Sequence, residues 1–137
     1  MKTVALIPIR AGSKGIPNKN MKKIAGKPLY AWVVQAALAA KPVDEVWVST
    51  DSQKYTEDIY ECYGDSVKCI KRPAWLATDT ATSDDVLRHF CWETCKPGDR
   101  VVMLQATSPM TTSGNIKSAL ELMGKDLVCV VSVVIRE

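Results

Sequence analysis

The chain predicts an α/β fold, a doubly wound and mostly parallel sheet with helices on both faces, and three observations carry that expectation. Strand and helix signals alternate along all 137 residues. The strand-like runs are short, apolar and rich in β-branched residues, and each is separated from the next by a single helical pattern. A glycine-bearing cationic loop starts where the first strand ends, the position at which such sheets receive ligands. Strands joined through single helices imply right-handed crossovers and a sheet covered on both sides.

The elements follow in order. A first strand is expected over 3–9, an apolar run that stops at Arg10. The first helix is expected over 28–40, with Pro28 at its first helical position, where the missing N–H would have no partner anyway. A second strand over 45–49 leads to a helix over 52–63, for which Thr50 or Asp51 can accept a backbone N–H as cap, with contact to a ligand as the other reading. The third strand, 67–70, is followed by a connection from Arg72 to Ser83 that is long for this architecture. A helix over 83–95 then opens on Asp84 and Asp85, which suit its positive end. A fourth strand over 100–104, a helix over 113–123 and a fifth strand over 127–134 complete the series. No repeat, low-complexity stretch or linker interrupts it, so residues 1–137 read as one domain.

Composition narrows the function. Apolar residues make up 47% and charged residues 24%, a globular composition, and the net charge of +3 is too small to argue for nucleic acid. No basic stripe interleaved with aromatics is present, and no long apolar run suggests a membrane span or signal peptide. The five cysteines, Cys62, Cys69, Cys91, Cys95 and Cys129, contain no Cys-x-x-Cys pair. They read as reduced thiols of a cytoplasmic protein, without a zinc ribbon or disulfide framework. Cys91 and Cys95 share one helical face, but two ligands on one turn do not make a metal site.

The segment Ile7-Pro-Ile-Arg-Ala-Gly-Ser-Lys-Gly-Ile-Pro-Asn-Lys-Asn20 carries the chemistry. Gly12 and Gly15 lack a Cβ, so backbone amides can approach a phosphate closely. Arg10, Lys14 and Lys19 add positive charge. The spacing matches neither a Walker loop nor the dinucleotide fingerprint. A polyphosphate held at the carboxyl end of a parallel sheet is the expected ligand, against the plainer reading of a solvated basic connection.

Two more strand-end segments converge there. In 72–83, hydroxyls and backbone groups could read a nucleobase edge, or Thr82 and Ser83 could simply cap the following helix. After the fourth strand, Gln105-Ala-Thr-Ser-Pro109 places a neutral amide beside the cations, or forms only a turn. His89, the single histidine, lies mid-helix beside Phe90 and reads as packing, with no Ser/His/Asp set around it.

Taken together with Gly26-Lys27-Pro28-Leu29, Ser49-Thr50-Asp51 and Arg72-Pro73, these segments resemble the acylneuraminate cytidylyltransferases, or CMP-sialic acid synthetases, in order along the whole chain. The Gly-Lys-Pro-Leu element is shared with other sugar nucleotidyltransferases and with Kdo cytidylyltransferases. The resemblance implies a Rossmann-like nucleotidyltransferase fold of the nucleotide-diphospho-sugar transferase type. It also implies transfer of CMP from CTP to an acidic nine-carbon sugar, with pyrophosphate released, magnesium assisting and a homodimer as the assembly. By matching motif positions, Arg10, Gly12, Ser13, Lys14 and Lys19 would hold the phosphates, Asn20 the ribose, and Arg72, Ala81 and Ser83 the cytosine. Gln105, with Thr107, would contact the sugar, and Lys19, Arg10 and Gln105 would carry catalysis.

Family members usually run further, through a region that supplies an Asp-x-Asp metal site, more sugar contacts and a dimerisation element. The present sequence offers no metal ligands of its own: Kdo-type relatives carry an aspartate after the fourth strand where Ala106 and Thr107 stand, and Asp99 precedes that strand. Relative to the family the fold is therefore truncated after its fifth strand. Two hypotheses follow, an enzyme completed by further chain or another subunit, and a non-catalytic nucleotide-binding or assembly module.

Overall fold

The computed structural model describes residues 1–12 and 18–123. Ser13, Lys14 and Gly15, and the fifth strand expected over 127–134, lie outside the described residues.

The elements in chain order are β1 (Thr3–Pro8), a 3-10 turn (Lys19–Met21), β2 (Lys23–Ile24), β3 (Lys27–Pro28) and α1 (Leu29–Ala39). Then come β4 (Glu45–Thr50), α2 (Gln53–Tyr63), β5 (Val67–Lys71), α3 (Ser83–Thr94), β6 (Arg100–Met103) and α4 (Ser113–Met123). The four longer strands form one sheet in the order β5-β4-β1-β6, with β1 parallel to both neighbours and β4 parallel to β5. The chain steps outward from β1 through β4 to β5, then returns to place β6 on the other side of β1. That reversal makes the β1/β6 boundary the switch point, where loops leaving the carboxyl ends diverge and open a crevice.

Alternation along β1 divides the core in two. Ala5 and Ile7 point toward one face, where Val33, Val34 and Ala37 of α1, Ile59 of α2 and Ile116 of α4 pack on them. Val4 and Leu6 point to the other face, under Phe90 of α3 and beside Trp47. The rings of Trp47 and Phe90 meet edge to face with centroids 5.7 Å apart. Because both faces are covered, β1 is buried at nearly every position.

Local chemistry departs from expectation at the starts of α1 and α2, and bears out the Thr82 capping reading at α3. Pro28 is not the first residue of α1 but its cap, with an extended ψ of 146°, because it pairs with Lys23 across a short antiparallel ribbon. That ribbon turns through Ala25 and Gly26, both at positive φ (49° and 84°), the requirement of a tight two-residue hairpin. Neither Thr50 nor Asp51 caps α2. Ser52 does so, its hydroxyl accepting from the Tyr55 amide. At α3 the cap is Thr82, in a reciprocal pair with Asp85 that satisfies two amides at once.

Candidate functional site

The strand-end loops enclose a cavity of about 340 Å³ at the carboxyl side of the sheet. Pro8 and Arg10 enter from the end of β1, with Lys19 and Asn20 from the 3-10 turn. Gln105, Ala106 and Thr107 enter after β6, on the other side of the switch point. Arg72, Leu76 and the run 78–79 and 81–83 close the third side, with Val86 of α3.

Eight of the residues expected at the site are thus brought together: Arg10, Lys19, Asn20, Arg72, Ala81, Ser83, Gln105 and Thr107. Gly12 is not among the lining residues, and Ser13 and Lys14 lie outside the described residues. The conformational freedom expected of Gly12 is not used among the described residues. Its φ lies outside the left-handed region, and a Cβ there would meet nothing within 4 Å.

Each side chain has a physical reason for its position. Arg72 is buried at 5% exposure, and its guanidinium donates to the Ser49 carbonyl (3.1 Å) and to the Ser49 hydroxyl (3.4 Å). The same carbonyl accepts from the Ile9 amide at 2.9 Å, so Arg72 is anchored to the junction of β1 and β4. Burial lowers the Arg72 pKa from its ordinary value, the nearby Asp51 carboxylate opposes that shift, and Arg10 adds to it. The guanidinium nevertheless remains charged at neutral pH, since arginine starts far above it. Asn20, 6% exposed, donates from Nδ2 to the Arg10 carbonyl at 3.3 Å and so closes the base of the cationic loop. Gln105 and Thr107 are exposed on the opposite rim.

Three contributors were not legible in the sequence. Asp51, expected as a cap, accepts instead from the Ala11 amide at 2.9 Å and ties the loop to the end of β4. Asn18 takes a left-handed φ of 52°, tolerable for asparagine, and its Oδ1 accepts from the Tyr55 hydroxyl at 3.2 Å. Asp79 lies 2.8 Å from Arg10 across the cavity. A carboxylate in a segment facing a cationic loop was the available signal for that last pair.

Magnesium, implied by the resemblance, has no ligand set here: among the described residues no three His, Cys, Asp or Glu side chains gather to hold a metal ion. The one carboxylate lining the cavity among the described residues, Asp79, is engaged by Arg10. Among the described residues, the positive charge of the pocket comes from Arg10, Lys19 and Arg72. Elsewhere, Cys91 and Cys95 are half-buried thiols, and burial together with Cys95 pushes Cys91 up to about 11. His89 lies in α3 away from the cavity, its Nδ1 buried without a hydrogen-bond partner among the described residues. No helix among them is long and apolar enough to cross a membrane.

Comparison with known proteins agrees with this geometry. The model of a family described as cytidylyltransferase matches residues 4–129. An N-acylneuraminate cytidylyltransferase of Streptococcus agalactiae serotype III is 40% identical over 123 residues, covering 88% of this chain and 29% of that protein. The CMP-N,N'-diacetyllegionaminic acid synthase of Legionella pneumophila is 42% identical over 137 residues, covering 95% of this chain and 58% of that protein. The solved structure of a CMP:2-keto-3-deoxy-manno-octonic acid synthetase complexed with CTP is similar at a TM-score of 0.78 and 29% identity, over 92% of this chain and 48% of that one. The chain thus spans between about a third and somewhat over half of the length of these relatives.

Proposed function

Because the chain belongs to the cytidylyltransferase family, we propose that its pocket binds CTP and serves the transfer of CMP to a nonulosonic, sialic-type acid. The reading is supported by one observation above the others. Three cationic side chains and two uncharged amides, Asn20 and Gln105, line a single cavity at the switch point of a parallel sheet.

The anomeric hydroxyl oxygen of the acid sugar attacks the α-phosphorus of CTP, its proton passing to solvent, and the bond from that phosphorus to the bridging oxygen of the β-phosphate breaks. The bonding electron pair leaves with pyrophosphate, so negative charge grows on the departing group. Lys19 and Arg10 line the cavity and, in this reading, would offset that charge. Buried Arg72 and the backbone around Ala81 and Ser83 form the wall suited to cytosine. Gln105 and Thr107 face the same space from the far side and, carrying no charge, orient a sugar without repelling phosphate.

Calorimetric titration of the 137-residue chain with CTP, followed by a pyrophosphate-release assay after addition of N-acetylneuraminic acid, tests this. Saturable CTP binding and acid-dependent release are expected, and no CTP binding at millimolar concentration would remove the proposal. Binding without release would favour the nucleotide-binding module.

A further inference from the structure

Arg10 and Asp79 come from different strand ends, the first from the loop after β1 and the second from the connection between β5 and α3. Both line the cavity, and Arg10 Nη1 lies 2.8 Å from Asp79 Oδ1. The guanidinium presents a planar fork that matches either a carboxylate or a phosphate, so the two anions compete for the same donors. We infer that Asp79 is the anion a phosphate must replace on Arg10, so that the pocket takes a phosphorylated ligand by exchange and holds it less tightly than it would without the carboxylate.

The inference rests on the reading of the pocket as a CTP site and adds to it a residue that tunes how tightly phosphate is held. A carboxylate carries one negative charge, whereas the tail of a nucleoside triphosphate carries several, and Lys19 lines the same cavity to favour the larger charge. The Asp79 side chain is 45% exposed and that of Arg10 27%. At such exposure an ion pair holds weakly, so competition from Asp79 reduces the affinity of a phosphorylated ligand by no more than about fivefold. A ligand without phosphate does not compete for Arg10 and is untouched. Asp79 therefore narrows the margin by which the pocket prefers a phosphorylated ligand over an unphosphorylated one.

The test compares wild type with Asp79→Asn, which keeps the size of the side chain and removes its charge, and with Asp79→Ser as a second replacement. Calorimetry at one fixed salt concentration would use CTP, inorganic tripolyphosphate and cytidine, with thermal melts confirming that the variants are folded. Both variants should bind CTP and tripolyphosphate about three to five times more tightly than wild type, with cytidine unchanged. Unchanged or weaker binding of the phosphorylated ligands by folded variants would overturn the inference, as would an equal gain for cytidine. Tripolyphosphate separates this from the parent reading: a wild type that binds it but not CTP defeats the cytidine assignment, while the variants still decide whether exchange occurs.

Discussion

The two ends of the sheet are built from similar polar residues and use them differently. At the amino end, Asp44 and Asp99 are satisfied by the backbone. Asp44 accepts from the Thr3 amide at 2.7 Å, and Asp99 accepts from the amides of Lys2 and Lys96. Arg100 there donates to the Thr3 hydroxyl and to the Leu120 carbonyl. At the carboxyl end, Arg10, Lys19, Arg72 and Gln105 face a shared cavity instead. The lesson is that charge density alone does not mark a site. Groups turned inward on the backbone hold strands in register, whereas groups held by the backbone yet facing an open volume are available to a ligand.

Predicted effects fall in size as one moves from the open end to the closed one. Lys19→Ala should reduce pyrophosphate release by about a hundredfold or more while leaving the melting temperature near that of wild type, because in the proposed reading that charge offsets the leaving group. Activity close to wild type in that variant would erase the distinction between the two ends.

Asp51 is an instructive intermediate, since it lies at the open end but behaves like a carboxylate of the closed one. Asp51→Ala leaves the Ala11 amide without its side-chain acceptor and should weaken CTP binding about tenfold through a loosened loop, with a loss of about 1–2 kcal/mol in stability. Asp51→Asn retains an acceptor oxygen and should recover binding to within about threefold of wild type. Equal losses in both variants would mean that the charge beside Arg72, rather than the hydrogen bond, is what matters.

Asp44→Ala should lower stability by about 1 kcal/mol, read by urea unfolding, with CTP affinity unchanged. A changed affinity would show that the closed end communicates with the site.

The smallest effect is acid sensitivity. Hydrogen bonds from the amides of Lys96 and Lys2 hold the Asp99 carboxyl below its usual range. The Trp47 indole N–H and two lysines do the same for Glu45. A carboxyl with a lowered pKa in the folded state contributes stability above its unfolded pKa, and that contribution disappears as the pH falls through the folded value. Both should therefore make the fold less stable below about pH 4. Asp99→Asn and Glu45→Gln should flatten circular-dichroism stability curves in that range, and an unchanged slope would show that these hydrogen bonds do not survive in solution.

Much of the architecture was legible because it follows from local pattern. The four described long strands and four helices fall within a residue or two of their expected bounds, since apolar runs and helical periodicity report burial directly. Helix caps were legible only to within a residue. Ser52, Thr82 and their neighbours are all competent acceptors, and which one caps depends on how the preceding strand ends. The ribbon through Ala25 and Gly26 escaped because its strands are two residues long and alanine seldom takes a positive φ.

The sequence by itself determined that a cationic loop ends the first strand of an α/β sheet, because strand, breaker and charge are adjacent in the chain. It also carried the family resemblance that names CTP as the expected ligand. Only the tertiary structure decided which groups meet across loops: Asp51 with the Ala11 amide, Arg72 with Ser49, and Asp79 with Arg10. Those partners are distant in sequence, and it is the strand order β5-β4-β1-β6, set by the packing of both sheet faces, that brings them within hydrogen-bond range.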